Sequence, residues 1–269
     1  MITFATIFAL SYIWHALGIT LGYHRLLSHR SFKANKFLEY VLILGGYLAF
    51  EGSPIWWIAI HRAHHKHVDT PLDPHTPKLG WFESLYGWMM KDTYPNHVVP
   101  AKSCPDLMKD PIYKFLEQDG DWKRNHALAL VLNLLFRAII WATFGWMPAL
   151  ASLFAGVVVL QVPLLLNFVC HIPKLGYKNY ETNNDGVNVW WVGLIAMGEG
   201  WHNNHHEYPG AARNGFKWFE IDMSWYFLLL FRSLGLVSNI NPGPMGLYKK
   251  QAKIRQMRRR YSRRLSRAA

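Results

Sequence analysis

The chain has 269 residues, 51% of them apolar, with 13 Trp, 13 Tyr, 15 Phe and a formal charge of +12. Ten of its 29 basic residues and none of its 17 acids lie from Lys249 onward, so the rest carries about +2 and the charge is no nucleic-acid signature. Two cysteines, Cys104 and Cys170, at no metal or disulfide spacing, exclude a disulfide framework. This much apolar material either buries a large core in water or sits in lipid, and segment lengths decide between the two.

Residues 2–22 hold no Asp, Glu, Lys or Arg, and at 1.5 Å per residue they reach roughly 30 Å, a bilayer's hydrocarbon thickness. They lack the basic start and small-residue cleavage site of a signal peptide, so they read as a retained membrane helix. The apolar stretch 40–50 is cut by Glu51-Gly-Ser-Pro54 after about eleven residues, too few to span, and predicts a re-entrant or interfacial hairpin. Residues 127–147 and 149–170 predict a transmembrane hairpin turning at Gly145-Trp-Met-Pro148. Arg137 lies inside its first arm, where a charge either faces the protein interior or marks function. The reading is an all-α integral membrane protein with three transmembrane helices and a cytoplasmic helical cap. It divides into one domain over 1–248 and a basic tail over 249–269, the latter placed on the cytoplasmic side by the positive-inside rule.

Nine of the 14 histidines fall in four places: His24-Arg-Leu-Leu-Ser-His29, His61-Arg-Ala-His64-His65, His171, and His202-Asn-Asn-His205-His206. On a helix, residues four apart share a face and an adjacent residue turns about 100° away. His61 and His65 can thus grip one metal while His64 reaches a neighbour, and His202, His206 and His205 repeat the pattern. Two such units facing each other could hold two metals. His24 and His29 stand about 140° apart on a regular helix, so joint ligation requires the helix to end or distort between them. Asn167, one turn before His171, could hold a water ligand. Nine imidazoles overfill a four-ligand zinc site, while copper or nickel stay open on imidazole affinity. Only Glu199-Gly-Trp-His202 matches the Glu-x-x-His pattern of carboxylate di-iron bundles, so Glu199 is expected behind a ligand, not as one. His15, His67, His75, His97 and His126 are expected to serve hydrogen bonding or packing.

The segments HRLLSH, HRAHH and GEGWHNNHH resemble the three histidine boxes of the integral-membrane fatty acyl desaturases. Four residues between His24 and His29, and His202 where front-end enzymes carry Gln, look like the delta-9, stearoyl-type branch. The resemblance runs over roughly residues 10–240 and takes in Gly22-Tyr-His24, Asp69-Thr70 and Asp73-Pro74-His75. It implies a di-iron enzyme that uses O2 and two electrons to place a cis double bond in a saturated C16 or C18 acyl chain. One iron would take His24, His29, His61, His65 and His205; the other would take His64, His171, His202 and His206, with a water on Asn167. It also implies a bent apolar tunnel, with Trp57 near its bend.

Several residues depart from the family pattern. Ala59 and Ile60 stand where animal acyl-CoA enzymes have an Arg-Asp pair, and of the later basic residues only Lys78 remains. That favours an acyl-lipid over an acyl-CoA substrate. Glu51 replaces a Gln near the acyl bend, and Leu85 replaces a His. One membrane helix precedes the first box where the family usually has two, so the N-terminus is expected on the face opposite the boxes. No His-Pro-Gly-Gly haem motif occurs, so electrons are expected from a separate ferredoxin or cytochrome-type donor, which the basic tail could attract. The competing readings are a di-iron lipid hydroxylase and a non-catalytic membrane protein that binds or transports metal.

Overall fold

A computed structural model describes residues 3–90 and 94–244; the basic tail over 249–269 lies outside the described residues. In chain order the α-helices are α1 (Phe4–Leu17), α2 (Lys36–Tyr47), α3 (Pro54–His67), α4 (Trp81–Leu85), α5 (Pro100–Ser103), α6 (Pro111–Glu117), α7 (Trp122–Phe144), α8 (Trp146–Val169), α9 (Trp190–Ile195), α10 (His202–Glu207) and α11 (Met223–Ser233). Among the described residues, three helices are long and apolar enough to cross a membrane: Phe4–Ser28, Lys123–Phe144 and Trp146–Val169. The first is longer than its apolar run predicts, because α1 continues without a break into a π-helix over Gly18–Ser28. His24 therefore sits inside the first spanning helix and not after it. The turn between α7 and α8 is shorter than expected: Gly145 alone, at φ 89°, separates them, and Trp146 and Pro148 already belong to α8.

α2 is the predicted short hairpin arm. It ends where Phe50 (φ 65°) and Gly52 (φ 77°) turn the chain, and Ser53 then caps α3, accepting from Trp56 N–H with Pro54 in the first turn. Ending a helix in an apolar layer leaves carbonyls without partners, and neighbouring side chains supply them. Asn133 Nδ2 donates to Tyr47 O at 3.1 Å and Arg137 Nη2 to Leu48 O at 2.5 Å, while Trp14 Nε1 adds a bond to Val41 O, further back in the helix, at 3.1 Å. His15 Nδ1 lies 2.7 Å from Gly45 O. Arg137 thus faces the interior and terminates α2, and His15 is a hydrogen-bonding residue. Close approach is what α1 and α2 require: a Cβ on Gly18 would sit 2.2 Å from Gly46 N.

The shorter elements gather at one end of these helices. A two-residue antiparallel ladder pairs Lys33 with Ser238 and Ala34 with Val237, tying the exit of the first spanning helix to the exit of α11. Asn188 bridges Tyr177 and Trp201, which fixes the loop after α8 against the entrance of α10. Both cysteines are free and buried.

Candidate metal centre

The π-helix settles how two histidines five apart can meet. His29 N–H bonds to His24 O at 3.1 Å, a bond spanning five residues, which brings every fifth residue back to one side. The rings of His24 and His29 lie 4.7 Å apart, edge to face. α3 then presents His61 and His65 on one face and His64 on another, and the short α10 does the same with His202 and His206 against His205. The nine side chains fall into two groups, His24, His29, His61, His65 and His205 in one and His64, His171, His202 and His206 in the other. Within each group one nitrogen per ring lies within 4.8 Å of all the others.

The far sides of three rings are held by carboxylates. His24 Nδ1 is 2.9 Å from Glu199 Oε2, His64 Nδ1 2.9 Å from Asp73 Oδ1, and His171 Nδ1 3.1 Å from Asp69 Oδ1. Burial alone would raise the Glu199 carboxyl, yet the Arg25 guanidinium beside it and His24 hold it below the usual range. The same balance, burial against a histidine partner, leaves Asp69 and Asp73 depressed. Ionised carboxylates draw the ring proton to Nδ1, so Nε2 presents its lone pair inward. Those lone pairs find no proton donors sufficient for all of them. His171 Nε2 and His206 Nε2 each lie 2.9 Å from His202 Nε2. His205 Nε2 lies 3.1 Å from His24 Nε2 and 2.9 Å from His65 Nε2. His64 Nε2 is buried without a hydrogen-bond partner. Burial, followed by the neighbouring imidazoles, pushes His29, His61, His65, His202, His205 and His206 well below the ordinary histidine range. Ring nitrogens converging on two points form an arrangement that a cation at each point would complete.

Glu199 is itself anchored. Arg25, fully buried, donates from Nε to Glu199 Oε1 at 2.9 Å and, through Nη1 and Nη2, to both Asp222 oxygens at 3.0 Å. Asn214 Nδ2 donates to Glu199 Oε2 at 2.7 Å. His75 is a packing residue, its ring stacked 4.4 Å from His64. His67 packs edge-on to His97 at 5.3 Å, and His126 lies against Trp56 at 6.4 Å.

A cavity of about 120 Å³ leads to the two groups. Its walls are mostly apolar, including Phe50, Trp56, Leu160 and Leu164, and it reaches His24 and His61 of one group and His202 of the other. Asn167 lines it as well, and so does Trp57, which stacks on His61 at 5.0 Å. Glu51 closes one wall: its Oε2 accepts from Trp57 Nε1 at 3.0 Å, and its Oε1 is buried without a partner.

Histidine spacing does not single out Asp69, Asp73, Arg25 or Asp222. The two aspartates carry a local signal, carboxylates four and eight residues beyond His65; the Arg25–Asp222 pair, 197 residues apart in sequence, carries none.

An apolar cavity ending on two histidine groups beside the ends of membrane helices suits redox chemistry on a chain-like apolar substrate. The family described as fatty acid desaturase matches residues 1–228. The chain is 40% identical over 232 residues to the sn-1 stearoyl-lipid 9-desaturase of Anabaena variabilis, covering 86% of this chain and 81% of that protein. It is 36% identical to the sn-1 stearoyl-lipid 9-desaturase of Synechocystis, over 88% of this chain and 71% of the relative. It is 37% identical to an acyl-CoA C20 Delta5-desaturase of Anemone leveillei, over 88% and 73%. The chain belongs to the fatty acid desaturase family. It is an oxidoreductase acting on acyl chains.

Proposed function

We propose that this desaturase places a cis double bond at the delta-9 position of a saturated C16 or C18 chain carried on a membrane lipid, with a CoA ester as the alternative carrier. One O2, two electrons and two protons are consumed; two adjacent methylenes become an alkene, and two waters leave. The observation that carries this reading is the apolar cavity that ends on both histidine groups.

The residues fit a di-iron centre, with His24, His29, His61, His65 and His205 holding one iron and His64, His171, His202 and His206 the other, Asn167 positioning a water. When bound, that centre supplies the oxidising power needed to break an unactivated C–H bond, which no side-chain acid or base can do. The rest belongs to the chain. Glu199, Asp73 and Asp69 fix the ring tautomers so that each Nε2 faces inward. Phe50, Trp56 and Leu164 keep water out of the cavity, and Trp57 against His61 forms the wall beside which the reacting carbons lie. The lipid carrier is supported by Ala59 and Ile60, which offer no charge to a CoA phosphate, and by the names of the two cyanobacterial relatives. The active site faces the cytoplasm, and electrons arrive from a separate ferredoxin or cytochrome-type donor.

The test is expression in a host lacking delta-9 activity, with fatty acid methyl esters analysed by mass spectrometry after double-bond derivatisation. Delta-9 monoenes are expected, and their loss in His64→Ala and His205→Ala. Hydroxylated chains, or an unchanged lipid profile from iron-loaded protein supplied with a donor, would falsify the proposal.

A further inference from the structure

A second, smaller recess of about 30 Å³ lies between α1 and α8 beside α9. Four residues, Ile19, Pro163, Leu166 and Glu199, line both this recess and the main cavity, so the two spaces share a wall of single side chains. Away from that wall it is lined by Tyr12 and the buried Ala196. The surface on that side is one that only lipid would cover: Leu10 on α1, Val158 on α8 and Ile195 on α9 are 63%, 41% and 39% exposed.

Two features bear on its width. Pro163 inside α8 has no N–H for the Val159 carbonyl one turn earlier, so the helix lacks a backbone bond at the shared wall. Tyr12 O–H donates to Ile195 O at 2.5 Å, which holds α9 against α1 across the outer end. α9 is packed on α8 through Val192 and Ala196, which share a buried cluster with Leu166 and Val169, so widening the recess moves α9 away from α1 and leaves it on α8.

We infer that this recess is the closed form of a lateral portal through which the saturated acyl chain of a bilayer glycerolipid slides into the main cavity while its head group stays at the membrane surface. The inference rests on the acyl-lipid reading above and deepens it. A chain held on a membrane lipid starts in the hydrocarbon layer, and any route through water would expose its methylenes one after another. A passage that opens between two membrane helices and runs between apolar walls to the histidine groups avoids that exposure. The main cavity and the recess together supply such a passage, with Tyr12 as its latch.

The test uses Val162→Cys, a half-buried position lining the recess, in iron-loaded full-length protein in vesicles of 1-stearoyl-2-oleoyl phosphatidylcholine. One preparation is compared before and after labelling with benzyl methanethiosulfonate and again after reduction. Wild type treated alike is the control, since Cys104 and Cys170 are buried. Labelling is expected to lower turnover of the vesicle lipid at least tenfold, and reduction to restore it. A second readout needs no turnover: the same lipid with a diazirine midway along its stearoyl chain should cross-link to the peptide carrying residue 162, and labelling should abolish that cross-link. Full turnover and unchanged cross-linking by enzyme shown by mass to be labelled overturn the portal and leave the acyl-lipid reading standing. A wild type that desaturates stearoyl-CoA but not the vesicle lipid overturns both.

Discussion

Replacing Glu199 by Gln keeps the shape of the side chain and removes one charge from a carboxylate that meets three side chains beside the metal groups. Glu199 accepts from Arg25 Nε at 2.9 Å and from Asn214 Nδ2 at 2.7 Å, and lies 2.9 Å from His24 Nδ1. All three partners are donors, and an amide has only one acceptor oxygen. Turned so that its oxygen meets His24 and Asn214, the new amide sets N–H against the Arg25 Nε–H and loses one charge-assisted bond, worth roughly 1.5–3 kcal/mol. Turned the other way it loses two, so the first orientation prevails. Arg25 stays paired with Asp222, which keeps the cost below the roughly 3–5 kcal/mol of a fully orphaned buried charge. His24 would lose the anion that fixes its tautomer, and such partners are worth about 10–100-fold in metal affinity. If the centre is di-iron as proposed, the expected outcome of Glu199→Gln is thermal destabilisation of the metal-free protein within the first range and loss of one iron at chelator concentrations about 10–100-fold lower than wild type needs. Iron counted by mass spectrometry across a chelator series, paired with melting in detergent, checks both. Wild-type retention of both irons would show that the carboxylate does not orient His24.

Asp69→Asn should act on the other group, because Asp69 faces His171; the same chelator series should again release one iron early, and combining it with Glu199→Gln should release both. Glu51→Gln should be stabilising in a pH-dependent way. Burial pushes the Glu51 carboxyl up to about 8 against the pull of the Trp57 hydrogen bond, whereas the unfolded chain ionises near the ordinary value, so folding is penalised increasingly from that value up to about 8. The melting advantage of the Gln variant should be absent near about pH 4, grow through that window and level off above it; a constant difference at all pH values would show that Glu51 ionises normally. Gly18→Ala should cost at least about 1–3 kcal/mol, because the added methyl would sit 2.2 Å from Gly46 N and 2.6 Å from Leu42 O, backbone atoms that cannot swing aside; wild-type melting would mean that α1 and α2 separate more easily than their packing implies.

What the sequence disclosed depended on whether the physics was local. The two HxxHH units predict which histidines share a face, because helical pitch alone decides it, and the structure gathers the nine rings into two groups along those faces. The three membrane spans were legible because length and apolarity are local sums, although the first was cut short at residue 22 when in fact it runs to Ser28. Polar residues such as His24 and Arg25 look like the end of an apolar run; here they are buried and paired inside the spanning helix. Arg137 was ambiguous for the same reason, since its partner is the Leu48 carbonyl, 89 residues away. Of the carboxylates behind the histidines, Glu199 is legible from its place three residues before His202, whereas Asp69 and Asp73 enter through the family resemblance without a partner, because a second layer of contacts obeys no single-helix periodicity.

The eleven residues of the π-helix also constrain how this protein can be recombined with others. A helix of ordinary pitch carrying His24 and His29 at their present spacing would splay the rings by about 140°, whereas the π turn closed by the His29 N–H to His24 O bond brings them together. The present histidine spacing therefore depends on the π form of the backbone. A chimera that sets HRLLSH on a helix of ordinary pitch should fold its membrane helices and yet fail to assemble the first histidine group, and the joint in a working graft falls before Gly18 or after His29.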